Sequence, residues 1–238
     1  MNAQFESELQ GIVARVAPQS RREPERRIAS VRGAGGTSYD NVLALVQDTR
    51  QDPDVRLAAI WTLERLKDTR AVPTLLRALT DEHPAVRQAA AMSLGLLDDN
   101  RAVSPLIAAL QTDMDNGVRK AAAYALRWLR DASAVGPLLR TLQNESEDAA
   151  VRGEAAESLG ELNARQALPF LIAALRDPSA EVRLWSAFAL GTLGDAHALP
   201  ELERIAATDE AVVPHLAHLS SKGMIKNEAR EAIERIRA

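Results

Sequence analysis

The segment AVPTLLRALTDEHPAVRQAAAMSLGLLDD, residues 71–99, contains a pattern that recurs along this chain of 238 residues. Strings like its first nine residues begin at intervals of 31, 32, 33 and 31 residues, at Ala71, Ala102, Ala134, Ala167 and Ala198. The Val-Arg pair of its second half recurs at the same four intervals, at Val55, Val86, Val118, Val151 and Val182. Two landmarks that keep one period indicate an array of repeated supersecondary units.

Each unit predicts a pair of helices. In the first helix, apolar residues recur at helical spacing, as in Leu75, Leu76 and Leu79, and a proline often occupies the first turn, where its missing N–H costs no hydrogen bond. The second helix begins near Val-Arg and follows the template V-R-x-x-A-A-x-A-L-G-x-L, and a short polar break ends the unit. With a divergent copy from Ser38, the sequence contains six units.

Both ends of the chain depart from the repeat. Residues 1–36, with an amphipathic segment and a short second one, predict N-terminal capping helices and a linker. Residues 37–238 predict one repeat domain, with an insertion at about 208–226 between the last two helices. We expect the helix-like part of that insertion, AVVPHLAHLSSKGM, to cover the end of the array, and a functional loop is the alternative.

The repeated strings fit the motif AVxxLIxALxDxxxxVRxxAAxALGxLGD over residues 38–207. In this motif the chain resembles the short bacterial HEAT-like repeats named after phycobilisome lyases. The resemblance implies an all-α fold, a right-handed α-α superhelix (solenoid) of about six short HEAT-like helix pairs with atypical caps. It implies less about function, because such repeats occur in bilin lyases of phycobiliproteins and in scaffolds.

Composition narrows the classes of function. With 29 basic and 33 acidic residues the formal net charge is −4, so the chain has no overall positive field that would attract a nucleic-acid backbone. The absence of cysteine excludes disulfides, thiolate zinc sites and iron–sulfur clusters. No apolar run approaches the roughly 20 residues of a membrane span, and the first residues do not form a signal peptide. We therefore expect a cytoplasmic protein.

The arginine of the Val-Arg pair forms a column through the repeats. It comprises Arg56, Arg87, Arg119, Arg152 and Arg183. An aspartate lies six residues before three of these arginines, at the turn between the two helices of a pair, namely Asp81, Asp113 and Asp177. A ladder of Asp–Arg pairs that joins neighbouring repeats accounts for both columns better than a phosphate-binding stripe, because arginine suits paired, partly buried sites.

The sequence predicts no metal site, no cofactor and no catalytic residue. Of the four histidines, only His215 and His218 share a helical face, and a zinc site needs at least a third ligand that the neighbouring sequence does not offer. The Gly-rich stretch at 33–36 lacks a preceding strand and a following Gly-Lys-Ser/Thr, so it is a linker. Enzymatic activity stays open, since carboxylates brought together by the fold leave no motif, and a tetrapyrrole lyase is the form it would take.

The outward face of the second helix carries the most informative signal. Counting the Val of each Val-Arg pair as position 0, positions 0, 4, 8 and 11 form the core arc, while positions 2, 3, 6 and 10 point away from it and vary between copies. Aromatic, Met and Leu side chains occupy many outward positions and form the predicted partner-binding set: Leu57, Trp61, Met92, Leu96, Tyr124, Trp128, Leu184, Trp185 and Phe188. The fourth repeat interrupts this set with Gly153, Glu154, Glu157 and Glu161.

Two interpretations of these side chains remain. If the second helices line the inner curve of a solenoid, they form a contiguous concave surface with the composition of a protein-binding hot spot. Alternatively, the rings fill gaps between adjacent second helices. The first interpretation predicts a non-catalytic protein-binding scaffold or adaptor. A bilin lyase or chromophore chaperone, with a tetrapyrrole in the same groove, is the second hypothesis, and a DNA-binding HEAT-like protein is the third.

Overall fold

The computed structural model of the chain describes residues 38–214 and 224–238, together with Ala29, Val31 and residues 33–35. The described residues form twelve α-helices in six consecutive pairs, which confirms the predicted all-helical HEAT-like repeat fold. The chain divides into two compact units between Leu129 and Arg130. The N-terminal capping helices predicted for residues 1–36 lie almost wholly outside the described residues, and the single domain predicted for 37–238 stays a prediction.

Each unit contains three helix pairs, with odd numbers for first helices and even numbers for second helices. The helices of unit 1 are α1 (Tyr39–Gln47), α2 (Pro53–Leu66), α3 (Val72–Ala78), α4 (Pro84–Leu96), α5 (Val103–Thr112) and α6 (Asn116–Leu129). The helices of unit 2 are α7 (Val135–Gln143), α8 (Ala149–Glu161), α9 (Leu168–Ala174), α10 (Ala180–Leu193), α11 (Leu199–Thr208) and α12 (Ile225–Arg237).

Local chemistry sets the ends of these helices. Prolines occupy the first turn of the first helices α3, α9 and α11, as the sequence pattern predicts, and also that of the second helices α2 and α4. Between pairs, an aspartate such as Asp68 or Asp99 accepts a hydrogen bond from the backbone N–H two residues later and begins a short 3₁₀ turn. Just before this turn the backbone turns left-handed, for example at Lys67 with φ 54° and Gly194 with φ 67°. The polar breaks of the sequence are therefore defined turns.

Second helices lie closest together where the template has its glycine. An ideal Cβ on Gly95 of α4 would lie 2.6 Å from the Ala125 Cα of α6, and one on Gly160 of α8 would lie 2.7 Å from the Ala189 Cα of α10. No larger side chain fits there without separating the helices. At the corresponding position α2 has Glu64, whose carboxylate accepts a 3.2 Å hydrogen bond from the Ser93 hydroxyl of α4. The array therefore contains two kinds of contact between second helices.

Most of the predicted core arc is buried in both units, and Val55, Leu66 and Leu162 are half-buried. On α4, Val86, Ala90 and Leu94 have no exposed surface, and on α10 the equivalent arc includes Val182 and Leu190, also without exposed surface. Burial of these apolar side chains is the main favourable contribution to folding. One member of the arc is polar, because Ser186 replaces the usual alanine of α10. Its hydroxyl is fully buried and has no hydrogen-bond partner among the described residues.

The predicted Asp–Arg ladder is present within each unit, and its ion pairs join neighbouring repeats. In unit 1, Arg87 donates to both carboxylate oxygens of Asp113 in the next repeat at 2.8 Å, and Arg56 pairs through one guanidinium nitrogen with a single carboxylate oxygen of Asp81. In unit 2 the pairs are Arg152–Asp177 and Arg183–Asp209. The aspartate six residues before an arginine contributes its backbone carbonyl instead, as Asp81 does to Arg87 at 2.9 Å.

The Asp–Arg pairs of the ladder are largely removed from water. The side chains of Arg56 and Asp81 are 1% and 6% exposed. Burial raises the pKa of Asp113, but hydrogen bonds from the Arg87 guanidinium and the Asp115 N–H outweigh it, and the net pKa lies below its usual value. Removal of one partner from such a pair leaves a buried charge without compensation, which costs about 3–5 kcal/mol.

The predicted insertion connects α11 to α12, the two helices of the last pair. Its base is closed by an isolated antiparallel bridge between Val212 and Met224, and the N–H of Ile225 donates to the Ala211 carbonyl at 3.3 Å. Val213 is buried beside this bridge. The helix predicted within the insertion falls on residues 215–223, outside the described residues. After the bridge, α12 packs against both α10 and α11 and completes unit 2.

Candidate functional site

Unit 1 arranges its three second helices side by side, with α4 in contact with both α2 and α6. Because the repeat keeps its register, equivalent positions on the three helices form rows that cross the helix axes. Position 6 contributes Trp61, Met92 and Tyr124, one from each helix. At position 10, Leu96 of α4 and Trp128 of α6 continue the apolar character. The register therefore places these apolar side chains on one side of unit 1.

We call the six members of the predicted partner-binding set that lie in unit 1 the apolar strip: Leu57, Trp61, Met92, Leu96, Tyr124 and Trp128. Three members are exposed, with exposed fractions of 39% for Met92, 40% for Leu96 and 45% for Trp128. The other three are half-buried. Large apolar side chains with this much water contact gain free energy when a partner covers them.

The rings at the α6 end of the apolar strip are held in place by their neighbours. The Tyr124 and Trp128 ring centroids are 6.1 Å apart, with an interplanar angle of 57°. The guanidinium of Arg127 lies 4.4 Å from the Tyr124 centroid and 5.8 Å from the Trp128 centroid, within cation–π range. Fixed rings lose less conformational entropy when a partner covers them.

The centre of the apolar strip carries no charge. From Gln88 to Leu97 the sequence of α4 and its cap, QAAAMSLGLL, contains no ionisable residue. The exposed side chains Gln88, Met92 and Leu96 follow one another at a spacing of four residues along the same side of α4. A partner segment placed over α4 would therefore bury apolar surface without desolvating a charged group of this helix.

The aromatic side chains of unit 2 are packed differently. Trp185 and Phe188 of α10 contact each other edge to face, with centroids 5.9 Å apart and an interplanar angle of 83°. An ideal Cβ on Gly153 of α8 would lie 2.9 Å from Trp185 Cδ1, so this ring covers the glycine backbone. The Arg235 guanidinium of α12 lies 5.2 Å from the Phe188 centroid and also pairs with buried Glu228. These rings fill the spaces between second helices.

Leu184 requires a correction. The sequence pattern places it at an outward position of α10 and predicts a partner-contacting side chain, but it is 2% exposed. The reason is that α10 packs against α8, α9 and α12, which leaves little of its circumference in contact with water. Leu184 is therefore a core residue of unit 2.

The outward side of α8 is acidic only in part. Glu161, at the C-terminal end, is exposed, and Glu157 is half-buried. Glu154 is buried and 8% exposed, and Gly153 lies under Trp185. The predicted interruption by Gly153, Glu154, Glu157 and Glu161 thus includes two residues that take part in packing.

Several exposed apolar residues fall outside the predicted set. Met114, in the turn before α6, is 93% exposed, and Phe170 of α9 is 37% exposed. Neither follows the outward positions of second helices, which is why the pattern did not identify them. The contact between Arg235 and Phe188 was also missed, because it joins two different second helices and spacing within one repeat does not show which neighbour a long side chain reaches.

Ionisable clusters provide no metal site in the described part of the chain, where no group of three His, Cys, Asp or Glu side chains is placed to hold an ion. His197 contacts the Asp195 carboxylate at 2.7 Å on the surface. His215 and His218 lie outside the described residues. None of the described helices is long and apolar enough to span a membrane.

Comparison with known proteins identifies the repeat. A family model for HEAT repeats matches residues 40–127 and 135–220, and a model for the PBS lyase HEAT-like repeat matches residues 118–144. No protein of curated function matches the chain in sequence. The resemblance noted in the sequence is thereby confirmed.

Solved structures share the fold at low sequence identity. The complex of CpcE and CpcF of phycocyanin lyase from Nostoc sp. PCC7120 matches at 21% identity and a TM-score of 0.51, over 96% of this chain and 94% of that chain. YibA of Escherichia coli matches at 18% identity and a TM-score of 0.57, over 97% and 82%. A designed armadillo repeat protein in complex with the peptide (KR)4 matches at 21% identity and a TM-score of 0.50, over 82% and 99%.

Proposed function

The chain belongs to the HEAT repeat family, and on this premise we propose that it is a protein-binding adaptor without catalytic activity. Its apolar strip in unit 1 docks an amphipathic helical segment of a partner protein. The observation that carries this proposal is the exposure of Met92, Leu96 and Trp128 on adjacent helices, at 39%, 40% and 45%. Contiguous apolar patches on soluble proteins mark binding surfaces.

The composition of the apolar strip supports protein binding. Tryptophan and tyrosine are enriched among the residues that dominate interface energies, and methionine adapts to partners of different shape. The cation–π contacts of Arg127 fix the rings of Tyr124 and Trp128 before a partner arrives. A partner that covers these rings therefore gains burial energy with a small entropic cost.

Repeat folds of this class supply related examples. The designed armadillo protein that matches this chain is in complex with a peptide, which supports docking of a segment on a repeat surface. The likeness to the phycocyanin lyase complex is at 21% identity, and it supports the fold rather than an activity on tetrapyrroles. The strip itself consists of apolar and aromatic side chains, which suit burial better than proton transfer.

Selection of peptides from a random phage-displayed library tests the proposal. We expect the wild-type chain to enrich peptides with a helical apolar stripe. Met92→Glu and Trp128→Ala should each lose these peptides, because truncation of a hot-spot residue costs about 2 kcal/mol or more. Both changes lie at exposed positions, so unchanged thermal unfolding verifies that the variants fold.

The control variant is Met114→Glu, which introduces the same charge at an exposed methionine outside the apolar strip. It should retain the selected peptides. Enrichment that survives Met92→Glu, or the absence of any enriched peptide, would contradict docking on this surface. A red-shifted and intensified absorbance on mixing the chain with phycocyanobilin would instead favour the chromophore hypothesis.

A further inference from the structure

Two cations lie beside the apolar strip at the C-terminal end of α2. Arg65 and Lys67 are both exposed. Among the residues that the structure describes, no carboxylate lies within ion-pair distance of either one. This contrasts with Arg70, which pairs with Asp68 two residues away. The positive charge of Arg65 and Lys67 thus faces water.

The register of the repeat places Arg65 in line with the apolar strip. Arg65 occupies position 10 of α2, the position of Leu96 on α4 and of Trp128 on α6. Packed helices have axes about 8–10 Å apart, so three adjacent second helices span about 16–20 Å. A helix that rises about 1.5 Å per residue covers this distance with roughly 11–13 residues. A partner helix of that length laid across the strip would begin at Arg65 and end at Trp128.

Acidic side chains near the C-terminal end of α2 do not neutralise the positive charge of Arg65 at position 10. Glu64 points to the α2–α4 contact, where it accepts the hydrogen bond from Ser93. Position 12 carries the exposed residues Lys67 on α2, Asp98 after α4 and Arg130 after α6, so this outer row is mixed in charge, whereas position 10 has no carboxylate on these helices. On α6, Arg127 stacks on the aromatic rings and Lys120 is half-buried. The side chains at position 10 therefore change from cationic on α2 to neutral on α4 and aromatic on α6.

We propose that the segment docked on the apolar strip is an acidic amphipathic helix, with apolar side chains over α4 and α6 and carboxylates at the end that lies over Arg65 and Lys67. This inference rests on the proposed docking function and specifies the chemistry of the partner. Charge complementarity at the α2 end orients the segment along the row and accelerates its association. Basic segments with the same apolar stripe are disfavoured, because they place like charges together.

Two synthetic helical peptides test the charge requirement. Both carry the same apolar stripe, with glutamates at the ends and outward positions of one and lysines at those of the other. The change in tryptophan fluorescence of the full chain reports binding, since two of its three tryptophans, Trp61 and Trp128, lie on the strip. We expect the glutamate peptide to bind at least about fivefold more tightly, since each exposed ion pair contributes up to about a factor of five and each like-charge contact acts in the opposite direction. The preference should weaken as salt is added.

Charge reversal at Arg65 and Lys67 makes the test specific. The double variant Arg65→Glu, Lys67→Glu should bind the lysine peptide more tightly than the glutamate peptide. The matched control is Arg77→Glu, an exposed arginine of α3 outside the strip, which should keep the wild-type preference. All three residues are exposed, so these variants should fold, and circular dichroism verifies it.

The outcomes separate the inference from the proposed function. A glutamate preference that persists in the double variant overturns the inference. Equal affinity of the two peptides for the wild type, with both weakened by Met92→Glu, also overturns it but leaves docking on the strip intact. Failure of both peptides to bind the wild type overturns the inference and the docking function together.

Discussion

Units 1 and 2 both carry aromatic side chains at outward positions of their second helices, but the two sets have different surroundings. In unit 1, Trp128 is 45% exposed and contacts Tyr124 of its own helix. In unit 2, Trp185 lies over Gly153 of the neighbouring helix, and its partner Phe188 is covered by Arg235 of the next. Unit 1 leaves apolar surface available, whereas unit 2 uses its rings to join helices.

The difference shows that the residue on the adjacent helix decides what an outward ring does. Trp185, at position 3, reaches position 2 of the preceding second helix, where Gly153 offers bare backbone. In unit 1, position 2 carries Gln88 on α4 and Lys120 on α6, and position 3 carries alanines. In unit 2 the Trp185 ring is structural because the neighbouring repeat provides a glycine beneath it.

Truncation of Trp185 and of Trp128 should show the difference between the two units most clearly. Trp185→Ala should lower the free energy of unfolding by about 2–3 kcal/mol, less than the 3–5 kcal/mol of a fully buried ring because Trp185 is half-buried. Trp128→Ala should change it by no more than about 0.5 kcal/mol, as at surface sites. Urea denaturation followed by circular dichroism measures both. Equal costs would mean that Trp128 is also a packing residue.

Filling the glycine under Trp185 tests the contact itself. Gly153→Ala should destabilise the chain by about 1–3 kcal/mol, because the new methyl group overlaps the indole ring. Gly136→Ala is the matched control in the same unit, since its Cβ would meet only the Arg140 guanidinium at 3.6 Å. There we expect a gain of about 0.4–1 kcal/mol.

A double-mutant cycle completes this comparison. If the indole is the obstacle, Gly153→Ala should cost little in a Trp185→Ala background, and the two changes should be strongly non-additive. Additive costs would indicate that the methyl group is rejected by Glu181 of α10, whose Cγ lies 3.3 Å from the ideal Cβ.

Two serines should respond to alanine in opposite directions. Ser186 of unit 2 is fully buried with an unpaired hydroxyl, so Ser186→Ala should stabilise the chain by about 1 kcal/mol. Ser93 of unit 1 donates to Glu64 at 3.2 Å, so Ser93→Ala should cost about 0.5–1.5 kcal/mol. Thermal or urea unfolding resolves the signs. A loss in Ser186→Ala would show that its hydroxyl has a partner in solution.

The repeat pattern was sufficient to predict most of the fold. Helix pairs, core arcs and the Asp–Arg columns follow from spacing alone, because each depends on residues within one repeat or on a feature that every repeat shares. The individual Asp–Arg ion pairs could not be predicted from the spacing, since Arg87 reaches the carboxylate of Asp113 in the next repeat rather than that of Asp81. Spacing within a repeat does not determine which neighbour a long side chain reaches.

The candidate site was predictable only in part, for the same physical reason. Met92, Leu96 and Trp128 are exposed at outward positions, as the helical pattern indicates. Leu184 occupies an outward position too, yet the neighbours of α10 bury it. Periodicity gives the direction of a side chain relative to its own helix, whereas burial depends on how many helices surround that helix.

The smallest predicted effect concerns Tyr39, at the start of unit 1. Its hydroxyl donates to the Asp68 carbonyl at 3.4 Å, and the Arg70 guanidinium lies 4.5 Å from its ring centroid. Burial, followed by the negative charge of Asp68, raises the pKa of Tyr39 to about 12. The only other tyrosine in the sequence, Tyr124, lies in the apolar strip of the same unit.

A raised tyrosine pKa favours the neutral phenol in the folded chain. Its contribution to stability is complete below the unfolded value of about 10 and is lost as the pH rises from about 10 through the folded value of about 12. In Tyr124→Phe, ultraviolet absorbance of phenolate reports Tyr39 alone, and we expect its midpoint near pH 12. In Tyr39→Phe this decrease in the free energy of unfolding above pH 10 should be absent. In the wild type the decrease is small, because solvent screens the partly exposed phenol. A midpoint near pH 10 in the folded chain would show that Asp68 and Arg70 do not enclose the phenol.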